Sequence, residues 1–145
     1  MKRILLALLA VVSILGANGD IDLDKLVETA KKTDKHILVF LHTTGCPFCE
    51  RMIEFTFDDD DVKAHIEKDF LFVDMNVKDD GLVSFDHQKI TKLKFAKEIG
   101  YPMYPTCLFF DQNGELVYDE VGYKDEATFL KTLQTVSSKA YNDID

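Results

Sequence analysis

The chain has 145 residues, 26 Asp+Glu against 17 Lys+Arg and a formal net charge of −9. That is the length of one domain, and its acidic balance excludes phosphate backbones and anionic lipid as expected partners. Three cysteines, two of them three apart and the third distant, do not form the even, spread framework of a disulfide-stapled scaffold.

The first segment, MKRILLALLAVVSILGANGD, has Lys2 and Arg3, then a run from Ile4 to Leu15 that is apolar apart from Ser13, then Gly16, Ala17 and Gly19. This is the layout of a secretory leader, so residues 1–19 are expected to be a signal peptide cut after Ala17 or Gly19. An uncleaved anchor is the competing reading, and the run is short against the ~20 residues needed to cross a bilayer. No cysteine lies near the cut to take a lipid. Residues 20–145 are expected to form one exported domain, periplasmic in a bacterium. Loss of Lys2 and Arg3 takes its net charge to −11.

IDLDKLVETAKKTDK places Leu23, Leu26, Val27 and Ala30 at helical spacing and predicts a helix near 22–33. HILVFLH predicts a buried strand over 36–42, ended by Thr43, Thr44 and Gly45. From Pro47 a helix is expected to run through Met52 and Ile53 to about Phe57, because proline suits the first turn. The run DDDD (58–61) reads as a solvated turn with a helix cap. It lacks the alternating ligands and distal glutamate of a calcium loop. VKAHIEKD predicts a short helix and FLFVDMNV the next strand, while KDDGLVSFDHQ reads as a loop with room for a small hairpin. Thr91 is expected to cap a helix, TKLKFAKEI, that buries Leu93, Phe95, Ala96 and Ile99. Two β-rich runs around Asn113-Gly114 predict a hairpin closed by Gly122. Asp125 is expected to cap a last helix with Phe129, Leu130, Leu133 and Val136 inward. The order α–β–α–α–β–α–β–β–α predicts a mixed central sheet with helices on both faces.

The chemistry concentrates in TTGCPFCERM (43–52). A cysteine at a helix start meets free N–H groups and partial positive charge, and both favour the thiolate. A thiol of pKa ~8.5 is about 3% ionised at pH 7, and one lowered to ~7 is about half ionised. Cys46 is therefore the candidate nucleophile, and Cys49, one turn inside, the resolving thiol. Haem attachment fails because residue 50 is Glu, where histidine is required. A zinc site needs four ligands, and only His42 and Cys107 are at hand to join the pair. A structural staple across so short a loop constrains little of the unfolded chain. The redox-active pair is the reading that the residues favour. Pro105 opens a β-rich run in YPMYPTCLFF, where it costs a ladder bond. A cis Tyr104–Pro105 bond turns the chain and exposes the Tyr104 backbone beside the cysteines; an ordinary turn proline is the alternative.

Taken together, ILVFLHTTGCPFCERM, FLFVDMNV, FAKEIGYPMYPTCLFFDQNGELV and VGY resemble a thioredoxin-fold protein over roughly residues 22–138. The chain most resembles the exported branch that includes SoxW-like thioredoxins and the catalytic domains of disulfide isomerases. The resemblance implies an α/β thioredoxin fold and a protein thiol–disulfide oxidoreductase that needs no cofactor beyond its own cysteines. It implies catalysis by Cys46 and Cys49, and a client surface of Pro47, Phe48, Tyr104 and the cis Pro105. The expected partners are protein thiols and disulfides and a membrane-bound electron donor, with the chain a monomer. A reductase or isomerase-type exchanger is expected rather than an oxidant, because the helical insertion of the Dsb-type oxidants is missing. A copper or zinc carrier using the CxxC, or a redox sensor, are the other readings. Phe40 stands where thioredoxin has a buried acid, which leaves Asp74 and Glu50 as candidates to relay a proton. His42 is expected to act as a neighbouring cation or to pack below the site, and Cys107 to be a packed thiol rather than a third redox partner.

Overall fold

The run HILVFLH forms a central strand, β2 (His36–His42), in which residues 36–41 are all buried. Burial on both sides demands cover on both sides. Ile37, Val39 and Leu41 enter one core, and Leu38 and Phe40 enter the other. The computed structural model describes residues 19–144, so the expected leader lies outside the described residues. On one side β2 pairs in parallel with β3 (Phe70–Asn76), with His36 opposite Phe70 and Phe40 opposite Asp74. On the other it pairs antiparallel with β6 (Thr106–Phe110), which places Cys107 opposite Phe40. The edge strand β7 (Leu116–Val121) completes the order β3-β2-β6-β7.

The first core is covered by α1 (Leu23–Thr33), through Leu23, Leu26 and Ala30, and by α4 (Lys92–Glu98), through Phe95 and Ala96. The second lies under α2 (Pro47–Arg51), α3 (Asp60–Asp69) and α5 (Glu126–Ser137). Aspartate and threonine caps start four of these helices. Asp22, Asp59, Thr91 and Asp125 each accept a backbone N–H of the first turn. Within the acidic run Asp59 is the cap, taking the N–H groups of Asp61 and Val62 at 3.0 Å each, and α3 starts two residues earlier than its apolar spacing predicts. Beyond α2 the helix continues for five residues as a π-turn, Met52–Thr56.

The small hairpin allowed for in KDDGLVSFDHQ is present, and it belongs to a second, three-stranded sheet that the sequence did not announce. β1 (Ile21–Asp22) pairs with β4 (Leu82–Phe85), and β4 pairs with β5 (Gln88–Thr91). Ile21, Val83 and Ile90 extend the first core. Asp86 and His87 make the two-residue turn, with φ of 50° and 60°. Leu93, expected inside, is 42% exposed; the stripe of α4 is Lys92, Phe95, Ala96 and Ile99. Lys92 lays its stem on the core and donates from Nζ to the Asp80 carbonyl at 2.8 Å, so its head group is satisfied where burial alone disfavours it.

The hairpin around Asn113-Gly114 is anchored by Asp111, whose Oδ1 accepts the N–H groups of Asn113 and Glu115. Gly114 has φ +80°, and a Cβ there comes within 2.9 Å of Val27 Cγ2 on α1. Valine is stiff at χ1 and cannot swing clear. Gly114→Ala should therefore lower unfolding free energy by about 1–3 kcal/mol through positive φ and a clash that only backbone movement relieves. Urea titration monitored by tyrosine fluorescence reads the loss.

His36 begins β2 buried, with Nε2 2.9 Å from the Tyr141 hydroxyl. Burial, seconded by Lys139, holds its pKa below the ordinary histidine value against the opposing pull of Asp111, Asp34 and Asp69. An imidazole that resists its proton when folded contributes stability that is complete above about 6.5 and is lost as pH falls through the lowered value. Stability should decline on acidification through this window, and His36→Gln should remove part of the slope in urea titrations at a series of pH values.

Candidate active site

The strand that carries both cores ends at His42, and the next three residues turn the chain into α2. Gly45 makes the turn with φ +76°. Cys46 caps α2 in extended conformation, and Pro47 is its first helical residue. Cys46 and Cys49 are joined by a disulfide with Cα atoms 5.2 Å apart. Their environments differ. Cys46 is half-buried at the surface, while Cys49 is 1% exposed within the second core. The Cys49 N–H points at Cys46 Sγ from 3.2 Å, so a thiolate formed on Cys46 gains a hydrogen bond where it forms.

The Tyr104–Pro105 peptide bond is cis. The Pro105 carbonyl accepts the Gly122 N–H at 2.8 Å, and Thr106 Oγ1 donates to the Met103 carbonyl at 2.8 Å. The first bond ties the loop to the end of β7, and the second closes the turn before β6. Tyr104 and Cys46 pack against the same core, and the Tyr104 hydroxyl, buried, has no partner among the described residues. Burial raises its pKa. Phe48 is 60% exposed on α2, with Tyr123 beside it at a ring-centroid distance of 6.4 Å. The Arg51 guanidinium lies 5.2 Å over the Tyr123 ring. Met103 is also exposed. Sequence reasoning missed Tyr123, Arg51 and Met103. The only signal for Tyr123 was its place after the Val121-Gly122 pair, and Arg51 and Met103 had none.

Of the other expected residues, Glu50 is exposed on α2 and its carboxylate makes no hydrogen bond or ion pair among the described residues. Asp74 meets His42: its Oδ1 bonds His42 Nε2 across the β2–β3 register. The His42 ring stacks on Phe40 at a centroid distance of 4.9 Å. His42 thus turns to a carboxylate, and Cys107 lies buried opposite Phe40 on β6. Among the described residues no three His, Cys, Asp or Glu side chains are grouped to hold a metal ion.

Cys107 is buried in the core that also holds Cys49. Burial, helped by Glu120 and opposed by Lys124, pushes its thiol far above the ordinary value. It should stay silent to a thiol-specific disulfide reagent at pH 8 in the native oxidised protein and react as one equivalent after unfolding. Cys107→Ala should keep exchange activity within a few-fold and cost about 1–2 kcal/mol of stability in lost packing. Loss of activity with the fold intact would instead make it a third redox thiol.

The thioredoxin-like domain profile matches residues 23–137. A comparison with curated proteins found no match. Among solved structures the chain is similar to a thioredoxin-fold protein from Helicobacter pylori, at 23% identity and TM-score 0.65, over 76% of this chain and 73% of that one. It is similar to a thioredoxin from Thermus thermophilus at 25% identity and TM-score 0.60, over 78% and 82% of the two chains. It also matches a disulphide isomerase from Xylella fastidiosa at 18% identity and TM-score 0.61, over 79% and 88%.

Proposed function

The chain belongs to the thioredoxin-like family, a thiol–disulfide oxidoreductase by its fold and cysteine pair, and from that premise we propose that it is an exported exchanger of protein disulfides, working as a reductase or isomerase. One observation carries the proposal: the half-buried Cys46 Sγ caps a helix, and its disulfide partner is sealed in the core.

The mechanism follows from that difference in access. In the reduced protein the Cys46 thiolate attacks one sulfur of a client disulfide. The client disulfide breaks, its second sulfur leaves as a thiolate, and Cys46 is left in a mixed disulfide. Cys49 then gives up its proton and attacks Cys46 Sγ. The Cys46–Cys49 bond forms and the client's remaining sulfur departs, so the client gains two electrons and the enzyme becomes oxidised. Because Cys49 is buried, a client reaches Cys46 first. Phe48, Tyr123 and Met103 give the client an apolar rim, and the loop that leads through Met103 to Pro105 is the place for main-chain pairing with an extended segment.

Export rests on the leader-like residues 1–19, and the acidic charge suits a body that stays free of nucleic acid. Outside the cytoplasm a reductase draws its electrons from a membrane-bound donor. Among the described residues no helix is long and apolar enough to cross a membrane. The protein acts as a monomer, with its clients as its other partners.

Insulin reduction with dithiothreitol as electron source tests the reading. The wild-type chain should precipitate the insulin B chain well ahead of the protein-free control, and Cys46→Ser should abolish the effect. Cys49→Ala should accumulate mixed disulfides that run as reducible adducts on gels. Turnover that survives Cys46→Ser would sink the assignment.

A further inference from the structure

Dithiol exchange needs a base that the apolar surroundings of Cys49 do not supply. Its neighbours in the second core include Phe40, Met52, Phe57 and Cys107, and a thiol in such surroundings holds its proton. Glu50 sits in solvent on α2. Glu120, across the same face of the sheet and opposite Cys107, already accepts the Thr132 hydroxyl and pairs with Lys124 at 3.6 Å. A different pair has one end in the protein and the other in water. The His42 side chain is 13% exposed, and Asp74, which it bonds, is 60% exposed. Both lie on the sheet face that carries the disulfide. His42 stacks on Phe40, Asp74 is in register with Phe40, and Phe40 shares its core with Cys46 and Cys49. Four residue steps separate His42 from Cys46, at most about 14 Å of backbone.

We infer that His42 and Asp74 form the proton relay of the resolving step, with His42 taking the Cys49 proton and Asp74 orienting the ring and opening it to solvent. The inference rests on the proposed dithiol exchange. Beside an ionised Asp74 the Nε2–H is the donor, and the neutral ring then carries its lone pair on Nδ1. During resolution the Cys49 S–H bond breaks and its proton passes to Nδ1, directly or across one water. The sulfur's electron pair attacks Cys46 Sγ, and the client sulfur leaves with the pair of the mixed disulfide. The imidazolium, held by Asp74, then returns its proton to the departing client thiolate or to water. No outside oxidant or reductant enters beyond the client.

The other charged groups around the pair are Glu50 and Arg51 on α2, Asp58 paired with Lys63 beyond Phe57, and the Glu120–Lys124 pair across the sheet. Of these and Asp74, only Asp74 bonds His42. A relay through His42 is therefore separable from one through Glu120.

The test splits the two half-steps by stopped flow against a disulfide peptide between pH 5.5 and 9.5. Attack is read as mixed-disulfide formation in a Cys49→Ala background, and resolution as client thiol release by the dithiol protein. His42→Phe, which keeps an aromatic ring on Phe40, should slow resolution at pH 7 at least tenfold, recover toward pH 9 and leave attack within about twofold. Asp74→Asn, at an exposed position that leaves the fold intact, should slow the same step about three- to tenfold with the same alkaline shift. Glu120→Gln should move neither step more than twofold. Wild-type resolution rates and pH profiles in both His42→Phe and Asp74→Asn, equal slowing of attack and resolution, or an alkaline shift produced by Glu120→Gln alone would each overturn the relay while leaving dithiol exchange standing. A wild-type protein that exchanges no disulfide at any pH would overturn the exchange reading itself.

Discussion

Burial of β2 on both faces is the constraint from which the site follows. Six consecutive residues, His36 to Leu41, lose nearly all contact with solvent, and each must face a core or a bonded partner. Each large apolar side chain there contributes roughly 1.5–3 kcal/mol, and an unpaired charge in the same place costs several. The one polar member, His36, meets the Tyr141 hydroxyl. The strand is locked in register to β3 and β6 along its length, so its end at His42 is fixed in space. Cys46 inherits that position through a three-residue turn, and Cys49 is driven into the second core by the first turn of α2.

The same constraint explains what the interior beneath the cysteines is made of. Phe40 faces Cys107 on one neighbour and Asp74 on the other. Its ring fills the space between Phe57 and His42, with centroids 4.7 Å and 4.9 Å away. A carboxylate at position 40 would lie beside another one, because its register neighbour on β3 is Asp74. An aromatic ring is the stable solution, and the ionisable groups move to the rim of the sheet, where Asp74 stays hydrated and His42 spans the boundary.

Much of this was legible in the sequence because the signals were local. An unbroken β-rich run, a proline after the first cysteine and an Asn-Gly pair each act within a few residues, and β2, α2 and the β6–β7 hairpin lie where those signals put them. The small sheet was less legible. β1 has two residues, and the β4–β5 turn puts Asp86 and His87 in the left-handed region without the glycine that advertises such a turn. Leu93 was misplaced because hydrophobicity outvoted spacing: the buried stripe of α4 starts at a lysine. His42 and Asp74 could each be singled out, but their meeting depends on a parallel register set across 32 residues, which no local turn specifies.

The direction of electron flow turns on how strongly the fold stabilises the Cys46 thiolate. Thioredoxins and strong dithiol oxidants differ by about 150 mV, or about 7 kcal/mol for two electrons, and the oxidants gain it by stabilising their reduced form. Here the hydrogen bond that reaches Cys46 Sγ comes from the Cys49 N–H, and a hydrogen bond to a charged group contributes about 1.5–3 kcal/mol. Arg51, the cation on α2, is drawn over the Tyr123 ring, and Lys124 is paired with Glu120. Neither is free to serve as a counter-ion for the sulfur. One backbone donor falls well short of the difference, and the apolar wall around Cys49 works against a second thiolate. The proposed reducing or isomerising direction asks for no thiolate stabilisation beyond what the Cys49 N–H and the start of α2 provide.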